Sequence, residues 1–421
     1  MQALEPSPAP RSAARPAMAR AAPAGVFIVL GTLLLALPAA AQEDPRIEQL
    51  QRQIEELQRQ LDELRGEVED RMPPPPERAP GAPEPVVSGT DKIKLAISGQ
   101  INRALLFSED GEQTKVFFVD NDNASSRLHF EGSGQINDDL SAGAVLEVEL
   151  RSNSTRAVSQ DDESTGSASF EDRRIEVYFD SARLGRVWLG QGSTASDNTS
   201  EVDLSGTAVV GTSDLPDYAG GLNFVDDGEL SDVTIADGFN NFDGLSRDDR
   251  IRYDSPKLGG FQLATSAVAD SNFDVAGFYA GAFGDTKLAG AAAFASDAGD
   301  FIQVNGSASL LLANGFNVTG AAGWRDFDDG DRDDGRFAYG KLGYLVDWFA
   351  IGATAFAVDG YYGEDVGADG DEAKAVGAFV VQNLDPVAAE LYAGYRHFDL
   401  SRDGADFDPI NAVLSGARVK F

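Results

Sequence analysis

Two stretches decide the fold: Leu146-Glu147-Val148-Glu149-Leu150-Arg151 and Arg174-Ile175-Glu176-Val177-Tyr178-Phe179. In each, apolar side chains take every second position and polar ones fill the places between. A period of two belongs to a strand, whose successive side chains point to opposite faces of a sheet. The pattern extends outward in both directions. Upstream, Ile93, Leu95, Ile97 and Ile101 stand against Lys94, Ser98, Gln100 and Asn102, and Leu128 and Phe130 alternate with Arg127, His129 and Glu131. Downstream, further segments fall near 185–192, 249–254, 260–270, 274–283, 286–296, 301–312, 315–326, 336–345, 347–359, 372–382, 387–399 and 410–421. That makes about sixteen strands, many about ten residues long, the length that crosses a bilayer at a tilt.

The connections sharpen the reading. Tight turns at Asn137-Asp138-Asp139, Arg183-Leu184-Gly185, Pro256 to Gly259, Gly284-Asp285, Ala313-Asn314-Gly315 and Asn383 to Pro386 interleave with polar loops at 109–124, 153–172, 193–248, 327–335, 360–371 and 400–409. Alternating short and long connections mark an up-and-down membrane barrel, with turns on the periplasmic side. A soluble sandwich has no reason to segregate its loops. The expected fold is therefore an all-β, transmembrane antiparallel β-barrel over residues 91–421, with both ends in the periplasm.

What precedes the barrel reads differently. Arg11, Arg15 and Arg20 lead into an apolar run from Gly25 to Leu37 and a small-residue end at Ala39 to Ala41, so residues 1–41 are expected to be a signal peptide cleaved before Gln42. Ile47, Leu50, Ile54, Leu57, Leu61, Leu64 and Val68 then alternate three and four apart, a heptad seam expected to make residues 42–71 a short periplasmic coiled-coil helix. Its β-branched a positions lean towards two strands, a trimer stays open, and so does an amphipathic helix lying on another surface. Residues 72–90, rich in Pro, read as a linker.

Composition excludes much else. The 421 residues carry 69 acidic against 34 basic side chains, a net charge of -35, and no Cys. Removing residues 1–41 deletes three Arg and one Glu and leaves -37. Such a surface repels phosphate backbones, so no nucleic acid is expected as partner. Without Cys there is no disulfide framework, thiolate zinc site or Cys nucleophile. The two histidines, His129 and His397, have no serine placed as a nucleophile, since Ser126 falls on the opposite parity from His129 and Ser401 lies past the strand of His397. A barrel enzyme such as a phospholipase is thus the weaker alternative, and no cofactor is expected. Asp329, Asp331 and Asp333 have a calcium-loop spacing, but the Gly comes one place late and no Glu closes the loop, so a solvated acidic loop is expected.

The chain resembles a Gram-negative outer-membrane porin of the trimeric general-diffusion kind. The likeness is carried by FVDNDNASSRLHFEG (Phe118 to Gly132), GRVWLGQG from Gly185, RYDSPKLGGF (Arg252 to Phe261) and the terminal Phe421, over roughly residues 90 to 421. The heptads are similar to those of phosphate-selective porins, which line their pore with Lys, whereas only eight Lys occur here. The resemblance implies a homotrimer in outer-membrane lipid and lipopolysaccharide, passing small hydrophilic solutes and ions, with Phe421 read by the barrel-assembly machinery.

It also implies that the third connection, Ser193 to Asp248, folds into the barrel and narrows it. This connection carries Asp197, Glu201, Asp203, Asp214 and Asp217, expected as the acidic side of a constriction. Strand parity turns Arg127, Arg151, Arg174, Arg186, Arg250 and Arg252 to the lumen. Opposed walls of this kind make a transverse field, and the acidic excess makes moderate cation selectivity the expectation. The alternative is that these Arg pair with Glu131, Glu147, Glu149 and Glu176 and brace the wall. Arg103 falls on the lipid parity and fits neither account.

Overall fold

The computed structural model describes residues 85–421 apart from 91, 166–168, 329 and 331. The expected signal peptide, coiled-coil helix and most of the linker lie outside the described residues, as do Asp329 and Asp331 of the acidic loop.

The described residues form sixteen wall strands, each antiparallel to the next. They are β1 (Ile93–Glu109), β2 in two pieces (Thr114–Asp120 and Arg127–Gln135), β3 (Leu140–Arg151), β4 (Ser169–Ser181), β5 (Gly185–Ser193), β6 (Arg247–Asp254), β7 (Phe261–Val268) and β8 (Phe273–Phe283). The second half comprises β9 (Thr286–Asp297), β10 (Phe301–Leu311), β11 (Phe316–Phe327), β12 (Gly335–Phe349), β13 (Gly352–Glu364), β14 (Glu372–Leu384), β15 (Ala389–Ser401) and β16 (Ile410–Lys420). Pairing of β1 with β16, from Gln100↔Lys420 to Glu109↔Asn411, closes the ring. Closure removes every sheet edge, which a lipid-embedded sheet requires because hydrocarbon satisfies no backbone N–H or C=O.

Alternation explains the two faces. In β12 the inward Phe337, Tyr339 and Lys341 are buried, while Ala338, Gly340 and Leu342 are exposed outward. Outward apolar side chains such as Phe261, Leu263, Val275, Val318, Val358 and Val376 continue this lipid-facing surface around the barrel. The β8–β9 turn is two residues long, and its Gly284 has φ +63°, a left-handed value that a Cβ would strain.

Three segments depart from the sequence reading. Thr114–Asp120, expected within a loop, pair with Arg103–Glu109, so the first hairpin stands taller than expected. Val86–Gly89, at the end of the expected linker, pair with Lys94–Ile97. Between Asp120 and Arg127 the chain leaves the wall and turns inward through a short helical turn, Asp122–Ala124.

The largest departure is the third connection. It is no plain loop. It holds two four-residue helices, α1 (Pro216–Ala219) and α2 (Ile235–Gly238), and a hairpin of Asn223–Asp226 with Glu229–Thr234. Thr234 and Asp237 form a reciprocal capping box on α2: the Asp237 N–H donates to Thr234 Oγ1 and the Thr234 N–H to Asp237 Oδ2. Inside the barrel, Leu215, Tyr218, Leu222, Phe224, Phe239 and Phe242 of this connection pack against Leu106, Phe117, Phe337, Tyr361, Phe379, Phe398 and Leu414 of the wall. A hydrophobic core thus lies within the lumen, on one side of it.

Candidate functional site

The inner wall divides into a covered and an open part. The third connection runs along the inside of the wall rather than straight across. Ala195 N–H and Ser196 N–H donate to Asp274 of β8 at 3.2 and 2.8 Å. Next, Val202 N–H and Leu204 N–H donate to Ser307 and Ser309 of β10, each at 2.9 Å. Tyr218 of α1 then reaches the last two wall strands. Its hydroxyl donates to Gly394 O at 2.6 Å and accepts the Leu414 N–H at 3.0 Å, although Gly394 and Leu414 are themselves partners in the β15–β16 ladder. At the extracellular end Asp408 N–H donates to Val225 O, and the Phe224 and Phe407 rings lie 5.5 Å apart. The hairpin tip is therefore clipped to the last extracellular loop.

The five acidic residues of the connection have separate fates. Asp203 is 6% exposed and paired at 2.7 Å with Lys341 of β12, whose ammonium also donates to Thr207 Oγ1 and Gly211 O. Burial alone would raise the Asp203 carboxyl, but Lys341 beside it holds it below the usual value. Asp214 and Asp217 accept from one guanidinium, Arg156 of the preceding extracellular loop, at 3.3 and 2.9 Å. Asp197 is buried, 3.9 Å from Arg247. Glu201 accepts from Asn241, and burial, then Asp243 nearby, pushes it well above the usual carboxylate range. Burial, then Asp197, pushes Asp243 up to about 8.

The six arginines stand on β2 to β6 and each lies beside a wall carboxylate. Arg127 is 3.7 Å from Glu147, Arg151 3.4 Å from Glu149 and 3.8 Å from Asp122, Arg174 2.5 Å from Glu176, and Arg252 2.8 Å from Asp254. Arg186 pairs with Asp180 and Arg250 with Glu176. None of the six pairs with the acids of the third connection; Arg156, Lys341 and Arg247 meet Asp214, Asp217, Asp203 and Asp197 instead, and Glu201 is met by Asn241. The arginine is the more exposed member of most pairs: Arg174 is 26% exposed against 0% for Glu176, and Arg127 26% against 13% for Glu147. Glu171, at the extracellular end, reverses that order with Arg151. At Arg127, Arg151 and Arg174 the guanidinium is thus the group shown, Arg186 and Arg252 are about as exposed as their carboxylates, and Arg250 is buried against Glu176 instead of lining the pore as expected. Arg174 and Arg186 also lie over the Trp188 ring, 5.4 and 4.9 Å from its centroid.

Parity on the late strands could have shown two further inward cations. Lys341 shares its face with Phe337 and Tyr339, and Arg396 of β15, fully buried, pairs with Asp359 at 2.8 Å. Arg156 had no such signal, because it sits on a loop. A β-bulge in the β3–β4 ladder at Glu147/Val148 also turns Arg173 inward beside Arg174, where it reaches Glu147 and Glu149 at 3.0 Å each. His129 lies 2.9 Å from Glu147, and His397 3.0 Å from Asn411 on the outer face. Phe421 pairs its main chain with Gly99, and its ring lies where a Cβ on Gly99 would come within 2.9 Å. Among the described residues, no group of three or more His, Cys, Asp or Glu could hold a metal ion.

A closed sixteen-strand barrel with an inward third connection and a polar inner wall defines an outer-membrane channel. Residues 31–403 match the family model of Gram-negative porins, and the chain belongs to that family. The fold is shared with solved porins at low identity. An anion-selective porin from Comamonas acidovorans is 17% identical, with a TM-score of 0.53, covering 78% of this chain and 100% of its own. The outer-membrane channel DcaP of Acinetobacter baumannii is 11% identical, with a TM-score of 0.52, covering 79% and 99%. The trimer form of OmpT, an outer-membrane protein of Vibrio cholerae, is 16% identical, with a TM-score of 0.50, covering 79% and 100%. No curated protein matches the sequence. Family and fold together place this barrel in the Gram-negative outer membrane as a channel for passive diffusion.

Proposed function

We propose that the mature protein is a homotrimeric porin carrying ions and small hydrophilic solutes along the open side of the lumen. The observation that supports this most directly is the partly exposed polar wall formed by Arg127, Arg174, Arg186 and Arg252 with their carboxylates. Charge at the mouths and charge along the wall act in opposite senses. The acidic excess concentrates cations at low salt, while the guanidinium faces oppose them, so cation preference is moderate. The trimer form of the Vibrio cholerae protein supports a trimer here. Residues 1–41 direct export, residues 42–71 extend as a helix into the periplasm, Phe421 addresses the chain to the barrel-assembly machinery, and lipopolysaccharide surrounds the outer rim.

Planar-bilayer recording tests the reading. Discrete conductance steps with a cation-sided reversal potential in a salt gradient are expected, strongest at 0.01 M, where the Debye length is roughly 30 Å. Anion selectivity at low salt would give control to the arginine wall instead. One observation favours a second reading, a barrel that only anchors the periplasmic helix: the hydrophobic core between the third connection and the wall fills part of the lumen. Liposome swelling separates the two, since a sealed anchor passes no sugar.

A further inference from the structure

Two guanidiniums at the extracellular end of the lumen break the pairing seen along the open wall. Arg325 lies two residues before the end of β11, on the inward side with Thr319 and Ala321, and Arg332 lies on the loop from β11 to β12. Among the described residues neither makes an ion pair. Their bonds go to neutral oxygens. Arg325 Nε and Nη2 both donate to Gln303 Oε1, at 2.9 and 2.7 Å, and Arg332 Nη2 donates to Val366 O and Gly367 O, each at 3.0 Å. Aromatic rings frame both groups. Arg325 lies over Phe301 and Phe242, 4.0 and 4.5 Å from their centroids, and Arg332 lies 3.5 Å from that of Phe327. Arg325 is 5.8 Å from the same Phe327 ring, so the cross-strand pair Phe301↔Phe327 gathers the two cations at one spot.

Such a couple is costly unless something answers its charge, because like charges repel and the rings take away water. Carboxylates are not scarce: the chain has 69 acidic side chains. Those nearby are engaged elsewhere. Asp334 accepts from Trp324 Nε1, Asp369 from the Asp333 N–H, and Asp371 holds Arg402. Asp297 acts on Arg325 through space without pairing with it. Among the described residues Nη1 of each guanidinium has no partner, and Arg332 Nε is enclosed without one. The open donors therefore belong to two adjacent forks, the arrangement that suits an anion with several acceptor oxygens.

We propose that Arg325 and Arg332 form a binding site for a phosphate-type oxyanion, with Phe301 and Phe327 as its floor. Arg325 faces the lumen, so the ligand is a solute in transit and not a lipid headgroup. The proposal rests on the channel reading for the route of that solute and adds its class. The site gives doubly charged anions a foothold at a mouth whose acidic surface otherwise repels them.

Equilibrium dialysis of the detergent-solubilised full chain against radiolabelled inorganic phosphate reads binding without conduction. Saturable binding of one phosphate per chain is expected. Arg325→Gln and Arg332→Gln should each weaken it about tenfold, the loss of a charge-assisted bond. Arg336→Gln, which removes an outward guanidinium paired with Glu364, should leave it unchanged. Arg325 also touches Phe242 of the third connection, so Arg332→Gln, whose partners are Phe327, Val366 and Gly367, carries the test if Arg325→Gln disturbs the fold. Heat-modifiable mobility reports whether each variant has folded. In planar bilayers at fixed ionic strength, phosphate added on the extracellular side should lower the chloride current of the native channel, and Arg332→Gln should lose that block. No saturable binding by the native chain, binding undiminished in folded Arg332→Gln, or an equal loss in Arg336→Gln would each overturn the proposal. Saturable binding to a chain that gives no conductance would keep the site and end the channel reading instead.

Discussion

The inner wall beneath the third connection and the open wall opposite it are built from the same alternating strands, yet they treat charge in contrary ways. Lys341 and Arg396, on the covered side, are fully buried and each meets one carboxylate. Arg174 and Arg127, on the open side, keep about a quarter of their surface in the lumen while their carboxylates recede. A buried pair holds structure in place and costs much when one partner is removed, whereas a half-exposed pair contributes little stability but sets the local potential. One strand pattern therefore yields an anchoring wall and a selecting wall, and the third connection decides which is which by covering one of them.

Removing the buried counter-charge should produce the largest effect. Lys341→Met leaves Asp203 ionised and enclosed, a loss of about 3–5 kcal/mol. Thermal unfolding should shift down and single-channel conductance should rise as the connection leaves the wall; combining Lys341→Met with Asp203→Leu should recover both. Unchanged conductance in the single variant would show that Lys341 does not hold the connection. Tyr218→Phe comes next. Loss of its hydroxyl deprives Gly394 O and Leu414 N–H of their partner, a penalty of about 1–3 kcal/mol. These two wall groups are ladder partners and can bond each other, so the low end is expected, read as noisier open-channel current.

The third test uses pH. Asp243 has its carboxyl raised from 3.8 to about 8 where the connection is docked, so the docked form holds a proton that the released form gives up. Docking is therefore strongest below pH 4 and weakens as pH rises through about 8. Current fluctuations should grow between about pH 4 and 8 and level off above that, and Asp243→Asn should flatten that dependence. A native channel equally quiet across this range would remove Asp243 from the account. On the open wall, Arg174→Gln should change stability by less than about 1 kcal/mol because Glu176 keeps Arg250, whereas Arg252→Gln also loses bonds to Ser193 O and Thr194 O and should cost more. Both variants should nevertheless move the reversal potential towards cations, because guanidinium is what the lumen sees there. If the potential does not move, solutes take another path.

Parity made the strand count legible from sequence and turned the six arginines inward, yet Arg250 is buried against Glu176. It gives a side, not a partner. Nothing in the spacing of Arg174 says that Glu176, two places along, would receive it rather than Asp214 across the lumen. The core inside the barrel was hidden for a different reason. Val209, Leu215, Leu222, Phe224, Phe239 and Phe242 follow neither a period of two nor one of 3.6, being scattered among Gly, Asp and Ser, so the connection read as a polar loop. Tertiary packing against Phe379 and Phe398 gives these residues their role, and those wall residues come more than a hundred positions later. Thr114–Asp120 escaped similarly: Asp120 to Asn123 read as loop, and the strand before them was absorbed into it.

Tyr218 also constrains the order of events by which the molecule is made. Its hydroxyl sits between Gly394 and Leu414, on the last two strands to be synthesised, and β16 is also the strand that meets β1. A connection that bonds two neighbouring wall strands from inside completes its contacts only when both strands are in place. Its 215–219 region can make both bonds only once β15 and β16 are present, so its placement is a late step that waits on β16. Contacts between residues so far apart in sequence form slowly. A chain stalled just before that step would leave β1 unpaired along one edge, with the apolar underside of the connection open to solvent.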